Sequence, residues 1–401
     1  MPLDTADIHK DASWKAAWQY GIFIALSRVL VALILIKLTA NIIPNGPFGG
    51  GTTLLERFAH WDSGWLIKIA GHGYRSMKSS AFYPGMPLLM LAMSKVSFGL
   101  LSFQNAGIVL AWVCFLGSSV VLFQIVNSRF GFESAIFSTV LFAFWSGSVF
   151  FVSVYAEPVV VLLTLVAALF VQNRRFWMAS VIAALASVVA PVGAVFGIAI
   201  FVAAYVEKKN LIRSIIYLIV SETGALAYAV FLWIKFNNPF ENLASQKLWY
   251  RHLVFPFSYL IRNTVLLISK PVRLSLGPLP PGNGNLVTTW AIDDISGIVA
   301  LAVLIGIIFI FVRKREEIGI PLDWFTFFVL SLLLINSSAI SFGSTPSSEA
   351  VARLVGSVFP LYPFAYLVLR RIKFLLIPLA VTIATLGLIG QLLFSLNYWF
   401  T

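Results

Sequence analysis

Long apolar runs are the feature that most constrains the fold of this chain. They recur from Tyr20 to Phe394, and many approach the length of about 20 residues that a helix needs to cross a bilayer. Of the 401 residues, 59% are hydrophobic and 11% are charged, whereas a soluble domain has about 25% charged residues. In lipid the backbone must satisfy its own hydrogen bonds, which favours helices. The sequence therefore predicts an all-α polytopic membrane protein.

The apolar runs predict about 11–12 transmembrane helices. The predicted spans lie near 19–42, 81–100, 104–126, 134–153, 158–171, 176–189, 191–206, 212–235, 292–312, 321–341, 351–369 and 374–394. The pieces on either side of Pro191 fit either one kinked helix or a short hairpin. The chain is predicted to form a single domain over 1–401, with a first outer loop at 43–80 and a large outer loop at 237–290.

The net charge of +12 would suggest a nucleic-acid partner in a soluble protein. Here the positive charges lie mainly in short loops between spans, so no nucleic acid is expected and the charges indicate topology. The four basic groups are Arg174-Arg175, Lys208-Lys209 with Arg213, Arg313-Lys314-Arg315, and Arg370-Arg371 with Lys373. The positive-inside rule places them in the cytoplasm. We therefore expect a multi-pass protein of the plasma membrane with both long loops outside.

The predicted topology contains one conflict. With Arg174-Arg175 inside, the motif Tyr155-Ala-Glu-Pro158 lies outside. Counting forward from an outward 43–80 loop puts the same motif inside. One predicted span between 81 and 171 is therefore miscounted or re-entrant.

The stretch from His60 to Tyr74 concentrates ionisable and aromatic residues between two apolar spans. Its charged or ionisable side chains after His60 are Asp62, Lys68 and His72, with Arg75 directly following the stretch. Trp61 and Trp65 alternate with them at near-helical spacing, which predicts a helix in the membrane interface. Such a helix has a purely structural interpretation. Alternatively, a carboxylate fixed at the membrane surface acts as a general base on a hydroxyl.

At these residues the sequence resembles the class V phosphatidylinositol-glycan mannosyltransferases (PIG-V) and their bacterial relatives. The matching residues, in chain order, are Trp61-Asp62 with Ile69-Ala70 and Gly73-Tyr74, Phe82-Tyr-Pro-Gly-x-Pro87, Ser153-Val-Tyr-Ala-Glu-Pro158, Asn238-Pro-Phe-Glu-Asn242 with Gln246 and Trp249, and Ala352-Arg353-Leu354 with Phe359-Pro360. They extend from about 55 to 370, and the first signature is the most specific. The bacterial motif Arg-Pro-x-Gly is present as Ala190-Pro191-Val192-Gly193, without its arginine.

The resemblance implies a GT-C-type glycosyltransferase that takes a sugar, usually mannose, from a polyprenyl-phosphate carrier on the outer face of the membrane. By the motif match Asp62 is the catalytic base. The residues predicted to bind substrate are Trp61, Lys68, His72, Arg75, Tyr83, Glu157, Trp249, Arg251, His252 and Arg353. No cysteine/histidine metal cluster or nucleotide-binding loop occurs in the sequence. We expect no metal and no cofactor besides the lipid-linked sugar donor, which is a co-substrate.

Several of these residues also have simpler interpretations. Glu157 precedes Pro158 and suits the first turn of a helix, where a carboxylate is favoured by the helix dipole. His72 at an interface is commonly solvated, and His252 either covers the site or anchors the large loop in lipid headgroups. Arg353 is predicted to hold the donor phosphate through its planar guanidinium. The alternative for Arg353 is a side chain that extends to the headgroups.

The predicted function is mannose transfer from a polyprenyl-phosphate mannose to a lipid, glycan or protein acceptor on the extracytoplasmic side. A transporter or flippase of lipid-linked precursors is the main alternative. Transporters tend to contain internal repeats and helices broken at mid-membrane. The sequence has no clear repeat, and its polar residues concentrate in loops. A non-catalytic subunit of a transferase complex is a second alternative.

Overall fold

The computed structural model describes residues 14–40, 42–43, 45–46, 51, 53–261, 286–342, 345–347 and 350–398. Almost all regular structure in these residues is helical, which confirms the predicted all-α polytopic class. The α-helices in chain order are α1 (Trp14–Thr39), α2 (Asp62–His72), α3 (Gly85–Val96), α4 (Phe103–Phe130), α5 (Phe132–Ala143), α6 (Val149–Val152), α7 (Glu157–Gln172), α8 (Phe176–Ser187), α9 (Pro191–Lys208), α10 (Leu211–Phe236), α11 (Glu241–Ala244), α12 (Leu286–Ile318), α13 (Leu322–Asn336), α14 (Val351–Gly356), α15 (Leu361–Leu369) and α16 (Lys373–Ser395).

Within the described part of the chain, six helices are long and apolar enough to cross a membrane. They are α1, α4, α9, α10, the portion Ile292–Lys314 of α12, and α16. Apolar helices of 10–17 residues make up most of the rest, namely α3, α5, α7, α8 and α13. The predicted helix in the first loop is present as α2. The single-domain division over 1–401 stays a prediction, and 262–285 of the large loop lie outside the described residues.

Contacts between helix termini define two ends of the helical bundle. At one end, the backbone N–H of Val154 donates to the carbonyl of Phe58 at 3.0 Å, and Trp112 Nε1 donates to the carbonyl of Val152 at 2.9 Å. At the other end, Arg174 Nε lies 3.5 Å from Glu207 Oε1. The motif from Tyr155 to Pro158 is therefore at the same end as the first loop.

The topological conflict has its origin in α3, where the predicted span at 81–100 is wrong. The helix Gly85–Val96 has 12 residues and is about 18 Å long, too short for a hydrocarbon core of about 30 Å. Its last turn meets the segment that leads back to α4, since Ser94 Oγ donates to the carbonyl of Leu101 at 2.7 Å. A Cβ on Gly71 would lie 3.1 Å from the ring of Phe103. Both α2 and α3 thus lie beside the start of α4.

The segment around Pro191 forms a hairpin of two helices. Pro191 is the first residue of α9, and Ala190 before it is extended, with φ −161° and ψ 156°. A Cβ on Gly193 would lie 2.1 Å from the carbonyl oxygen of Ala186, so the two helices are in backbone contact near the turn. The hairpin returns the chain to the end where Arg174 meets Glu207, and this excludes the single kinked helix.

Two further predicted spans have different boundaries in the structure. The predicted helix at 321–341 ends at Asn336, and the chain continues as strand β2 (Ser338–Phe342). This strand lies between β1 (Arg251–Leu253) and β3 (Thr345–Ser347) in a small antiparallel sheet. The predicted span at 351–369 is divided into α14 and α15, with Pro360 directly before α15. Both breaks occur at the end of the bundle that contains α2.

Close backbone packing of α10 against α8 gives a test of the fold. A Cβ on Gly224 would lie 2.1 Å from the carbonyl oxygen of Ala184. Helix propensity alone predicts that Gly→Ala stabilises a helix interior by about 1 kcal/mol. Overpacking costs about 1–3 kcal/mol, so we expect Gly224→Ala to lower the thermal unfolding temperature of the purified protein in detergent.

The matched control is Gly64→Ala in α2, where a Cβ would have no neighbour within 4 Å. This variant should unfold at the wild-type temperature or above it. An unchanged or raised unfolding temperature for Gly224→Ala would contradict the backbone contact between α8 and α10.

Candidate active site

Asp62 begins α2, directly after an unusual backbone conformation. Trp61 has φ 57° and ψ −115°, a region that costs a non-glycine residue about 1–3 kcal/mol and persists only where the surroundings enforce it. Leu66 and Ile69 are buried and fix one face of α2 against the bundle. The chain is thereby turned so that the Asp62 carboxylate stands at the helix N-terminus, where negative charge is favoured.

Arg353 lies in α14 and is positioned by its neighbour in the chain. The backbone N–H of Ala352 donates to Asp293 Oδ1 of α12 at 2.6 Å, and its carbonyl accepts from Trp145 Nε1 at 2.7 Å. Gly147 permits this approach, because a Cβ there would lie 2.6 Å from the same carbonyl oxygen. The backbone before Arg353 is therefore held by α12 and by the break between α5 and α6.

Glu157 is the first residue of α7, with Pro158 in the first turn. This arrangement matches the predicted helix start. The Glu157 side chain is only 9% exposed, so Glu157 is not simply a solvated helix cap. A buried carboxylate needs a cationic partner, and that partner comes from α14.

The guanidinium of Arg353 contacts the carboxylates of Asp62 and Glu157. Arg353 Nη1 donates to Asp62 Oδ2 at 2.7 Å, and Arg353 Nε lies 3.2 Å from Glu157 Oε1. The side chains of Arg353 and Glu157 are 11% and 9% exposed, whereas that of Asp62 is 26% exposed. We call these three residues the charged triad. Asp62 is the member that remains accessible from outside.

The triad leaves hydrogen-bonding capacity unused. Among the described residues, Arg353 Nε and Glu157 Oε2 have no hydrogen-bond partner although both atoms are buried. The contact between Arg353 Nε and Glu157 is thus an ion pair without hydrogen-bond geometry. A buried polar atom without a partner costs about 1–3 kcal/mol, a cost that a bound polar ligand would relieve.

Aromatic side chains support the triad, and Tyr155 is the most directly involved. The Arg353 guanidinium lies 5.2 Å from the ring centroid of Tyr155 and 5.5 Å from that of Phe150. The Tyr155 hydroxyl donates to the carbonyl of His60 and accepts from the backbone N–H of Asp62, both at 3.3 Å. Tyr155 therefore fixes the start of α2 relative to Arg353.

His60 precedes the unusual turn and packs against the ring of Phe394, with 5.6 Å between ring centroids. Burial lowers the pKa of His60, because the charged imidazolium loses its hydration. This shift favours the neutral imidazole in the segment before Asp62.

The remaining predicted residues of the first loop lie apart from the triad. Lys68, His72 and Arg75 are exposed in the later turns of α2 and beyond it. Lys68 Nζ lies 5.6 Å from the ring centroid of Trp65, and Arg75 Nε donates to the carbonyl of His72 at 3.4 Å. The structure does not bring these three residues into contact with Asp62.

Tyr83 and Trp249 belong to an aromatic cluster between the first loop and the large loop. Asn242 Nδ2 donates to the Tyr83 hydroxyl at 3.1 Å. The ring centroids of Trp249 and Trp65 are 5.4 Å apart, and those of Trp249 and Phe82 are 5.5 Å apart. Two segments that the sequence analysis treated separately, Phe82-Tyr83 and the opening of the large loop, are thus one packed unit.

Arg251 and His252 are located in β1, paired with Ile340 and Ala339 of β2. His252 is exposed and Arg251 is half-buried. Trp61, by contrast, adjoins the triad because it directly precedes Asp62. The strand connects the large loop to the end of α13.

Sequence reasoning did not single out Tyr155, His60, Phe150 or Phe394. For Tyr155 a signal was available, since it lies two residues before Glu157 in a motif already noted. His60 likewise opens the stretch that contains Asp62. The two phenylalanines carry no local signal, because apolar residues are ordinary in spans and only the tertiary packing brings them to the triad.

The fold and the charged triad define a class, that of polytopic membrane proteins with a cluster of charged residues at one end of a helical bundle. A family model described as Mannosyltransferase (PIG-V) matches residues 51–219. The match confirms the resemblance predicted from the motifs over that part of the chain. It includes Asp62, Tyr155 and Glu157, and Arg353 lies outside it.

Solved structures similar to this chain include the oligosaccharyltransferase of Archaeoglobus fulgidus. Its apo form is 12% identical with a TM-score of 0.44, and covers 94% of this chain and 55% of the other. The complex with Zn and sulfate is 12% identical with a TM-score of 0.41, covering 94% and 53%. This chain thus spans about half the length of those proteins. No curated protein sequence matches it significantly.

Replacing Arg353 by lysine separates a bridging guanidinium from a simple positive charge. An ammonium group lacks the planar fork that reaches two acceptors at once. We therefore expect Arg353→Lys to lose about 10-fold or more in glycosyl transfer, seen as a higher apparent KM for the sugar donor, a lower kcat, or both. Initial rates at varied donor concentration measure this effect.

Arg129→Lys is the matched control, since Arg129 also lies over an aromatic ring, that of Trp324, at 5.9 Å, but at the opposite end of the bundle. It should leave both kinetic constants near wild type. Wild-type kinetics for Arg353→Lys would reduce Arg353 to a structural partner of the two carboxylates.

Proposed function

We propose that this protein is an integral membrane mannosyltransferase that moves mannose from a polyprenyl-phosphate carrier to an acceptor hydroxyl. The observation that carries the proposal is the contact of Arg353 with both Asp62 and Glu157 at one end of the bundle. It joins a partly exposed carboxylate, which lies in the region matched by the mannosyltransferase family model, to a cation from α14. The acceptor class, a lipid, a glycan or a protein, remains part of the proposal.

The reaction is a single displacement at the anomeric carbon of the sugar. The acceptor oxygen forms a bond to that carbon while the bond from the carbon to the phosphate oxygen breaks. Asp62 takes the acceptor proton as general base. The polyprenyl phosphate leaves with the electron pair, already ionised, and needs cationic stabilisation rather than a general acid.

Arg353 is the cation that supports this assignment. Its guanidinium can bind two phosphate oxygens in parallel. The buried carboxylate of Glu157 holds the Arg353 guanidinium in place through its contact with Nε. The lipid-linked sugar is then the co-substrate, and we propose that no metal or further cofactor is needed.

Asp62→Asn tests the proposed base directly. The amide retains the size of the side chain and an oxygen that accepts from Arg353, but it is a far weaker base. Transfer of radiolabelled mannose from polyprenyl-phosphate mannose in vitro should fall by roughly two to four orders of magnitude, the contribution of a positioned general base.

Glu133→Gln is the control, because Glu133 is an exposed carboxylate in the first turn of α5, at the end of the bundle far from the triad. It should transfer mannose at the wild-type rate. Both variants should unfold near the wild-type temperature. Near-normal turnover by folded Asp62→Asn protein would refute the mechanism.

The active site is proposed to face the extracytoplasmic side. In a Cys114→Ala background, a cysteine at Met77, which is 56% exposed beside α2, should react with an impermeant thiol reagent in intact cells. A cysteine at Lys209, exposed at the opposite end, should react only after the membrane is permeabilised. The reverse labelling pattern would invert the proposed orientation.

A further inference from the structure

A groove of about 610 Å³ lies on the helical bundle, and no member of the charged triad lines it. Its walls are α5, α15 and α16, and its lining is mostly apolar. The side chains of Ile136, Phe137 and Val140 come from α5, and those of Leu376 and Ala380 come from α16. The volume is in the range of sites that hold small organic ligands, about 300–1,000 Å³.

The polar residues of the groove are all at one end. Glu133 is in the first turn of α5, Arg370 directly follows α15, and Lys373 begins α16. The Tyr366 hydroxyl donates to Glu133 Oε2 at 3.2 Å. Two cations therefore share this end with one carboxylate, and that carboxylate already accepts a hydrogen bond.

The opposite end of the groove is apolar and closed by Phe144 and Ala384. Along either helix the distance between the two ends is about 16 Å, at 1.5 Å rise per residue. Half of a hydrocarbon core of about 30 Å has nearly the same thickness. The groove is thus about as long as one leaflet of the bilayer is thick.

We propose that this groove binds one anionic phospholipid of the leaflet opposite to the active site. An acyl chain occupies the apolar length beside α5 and α16, and the phosphate-bearing headgroup is held by Arg370 and Lys373. Basic pockets between membrane helices bind anionic headgroups by this principle. The excess of cations over carboxylates at the polar end favours an anionic headgroup over a zwitterionic one.

Native mass spectrometry of the purified full-length protein tests the proposal. The protein is incubated in detergent with equal amounts of phosphatidylglycerol and phosphatidylcholine that have identical acyl chains. We expect one phosphatidylglycerol to be retained, at least about 5-fold in preference to phosphatidylcholine. Equal retention of the two lipids by the wild type overturns the proposal without any variant.

The double variant Arg370→Gln, Lys373→Gln should lose that preference, and Ala380→Trp, which fills the groove, should lose the tightly bound lipid of either type. The matched control is Lys208→Gln with Lys209→Gln, two exposed cations at the same end of the bundle that do not line the groove. The control pair should keep the preference. An equal loss in the control, or unchanged lipid retention in Ala380→Trp, places the bound lipid elsewhere and overturns the proposal.

Discussion

The ion pairs that Arg353 makes with Asp62 and Glu157 organise the site end of this protein. Charges of this kind are expensive to bury, and removing either of the two buried members, Arg353 or Glu157, would cost about 3–5 kcal/mol. The three residues come from α14, α2 and α7, which are remote in sequence. Forming the triad therefore fixes the first loop, the helix start at Glu157 and the segment before α15 relative to one another.

Several breaks in the helices serve this arrangement. The interruption between α5 and α6 supplies Trp145, whose indole holds the carbonyl of Ala352. The predicted span at 351–369 is divided into α14 and α15, and this division lets the side chain of Arg353 reach Asp62 and Glu157. Trp61 adopts its unusual backbone conformation directly before Asp62. Irregular backbone at membrane depth is tolerated where it is buried in protein or lines a cavity, and here it adjoins the triad.

The two ends of the bundle differ in chemistry. The site end has the triad, the aromatic cluster around Trp249 and the small sheet formed by β1, β2 and β3. The opposite end has the basic loops and the polar mouth of the groove between α5 and α16. In a bilayer these ends face different leaflets, so the bundle can bind a lipid-linked donor at one surface and an anionic lipid at the other, as proposed.

The sequence by itself determined the membrane class and most helix positions, because apolar periodicity is local. Asp62, Glu157 and Arg353 were predicted as site residues from the motifs that resemble those of the mannosyltransferases. Tertiary packing decided three features: the return of the chain after α3, the hairpin at Pro191 and the strand after Asn336. Each involves an apolar segment whose length or direction depends on its neighbours. The tertiary structure also decided that Arg353 contacts both carboxylates and that Tyr155 holds the start of α2 beside them. No local pattern encodes which of several charged loops will meet, because that depends on how the helices pack.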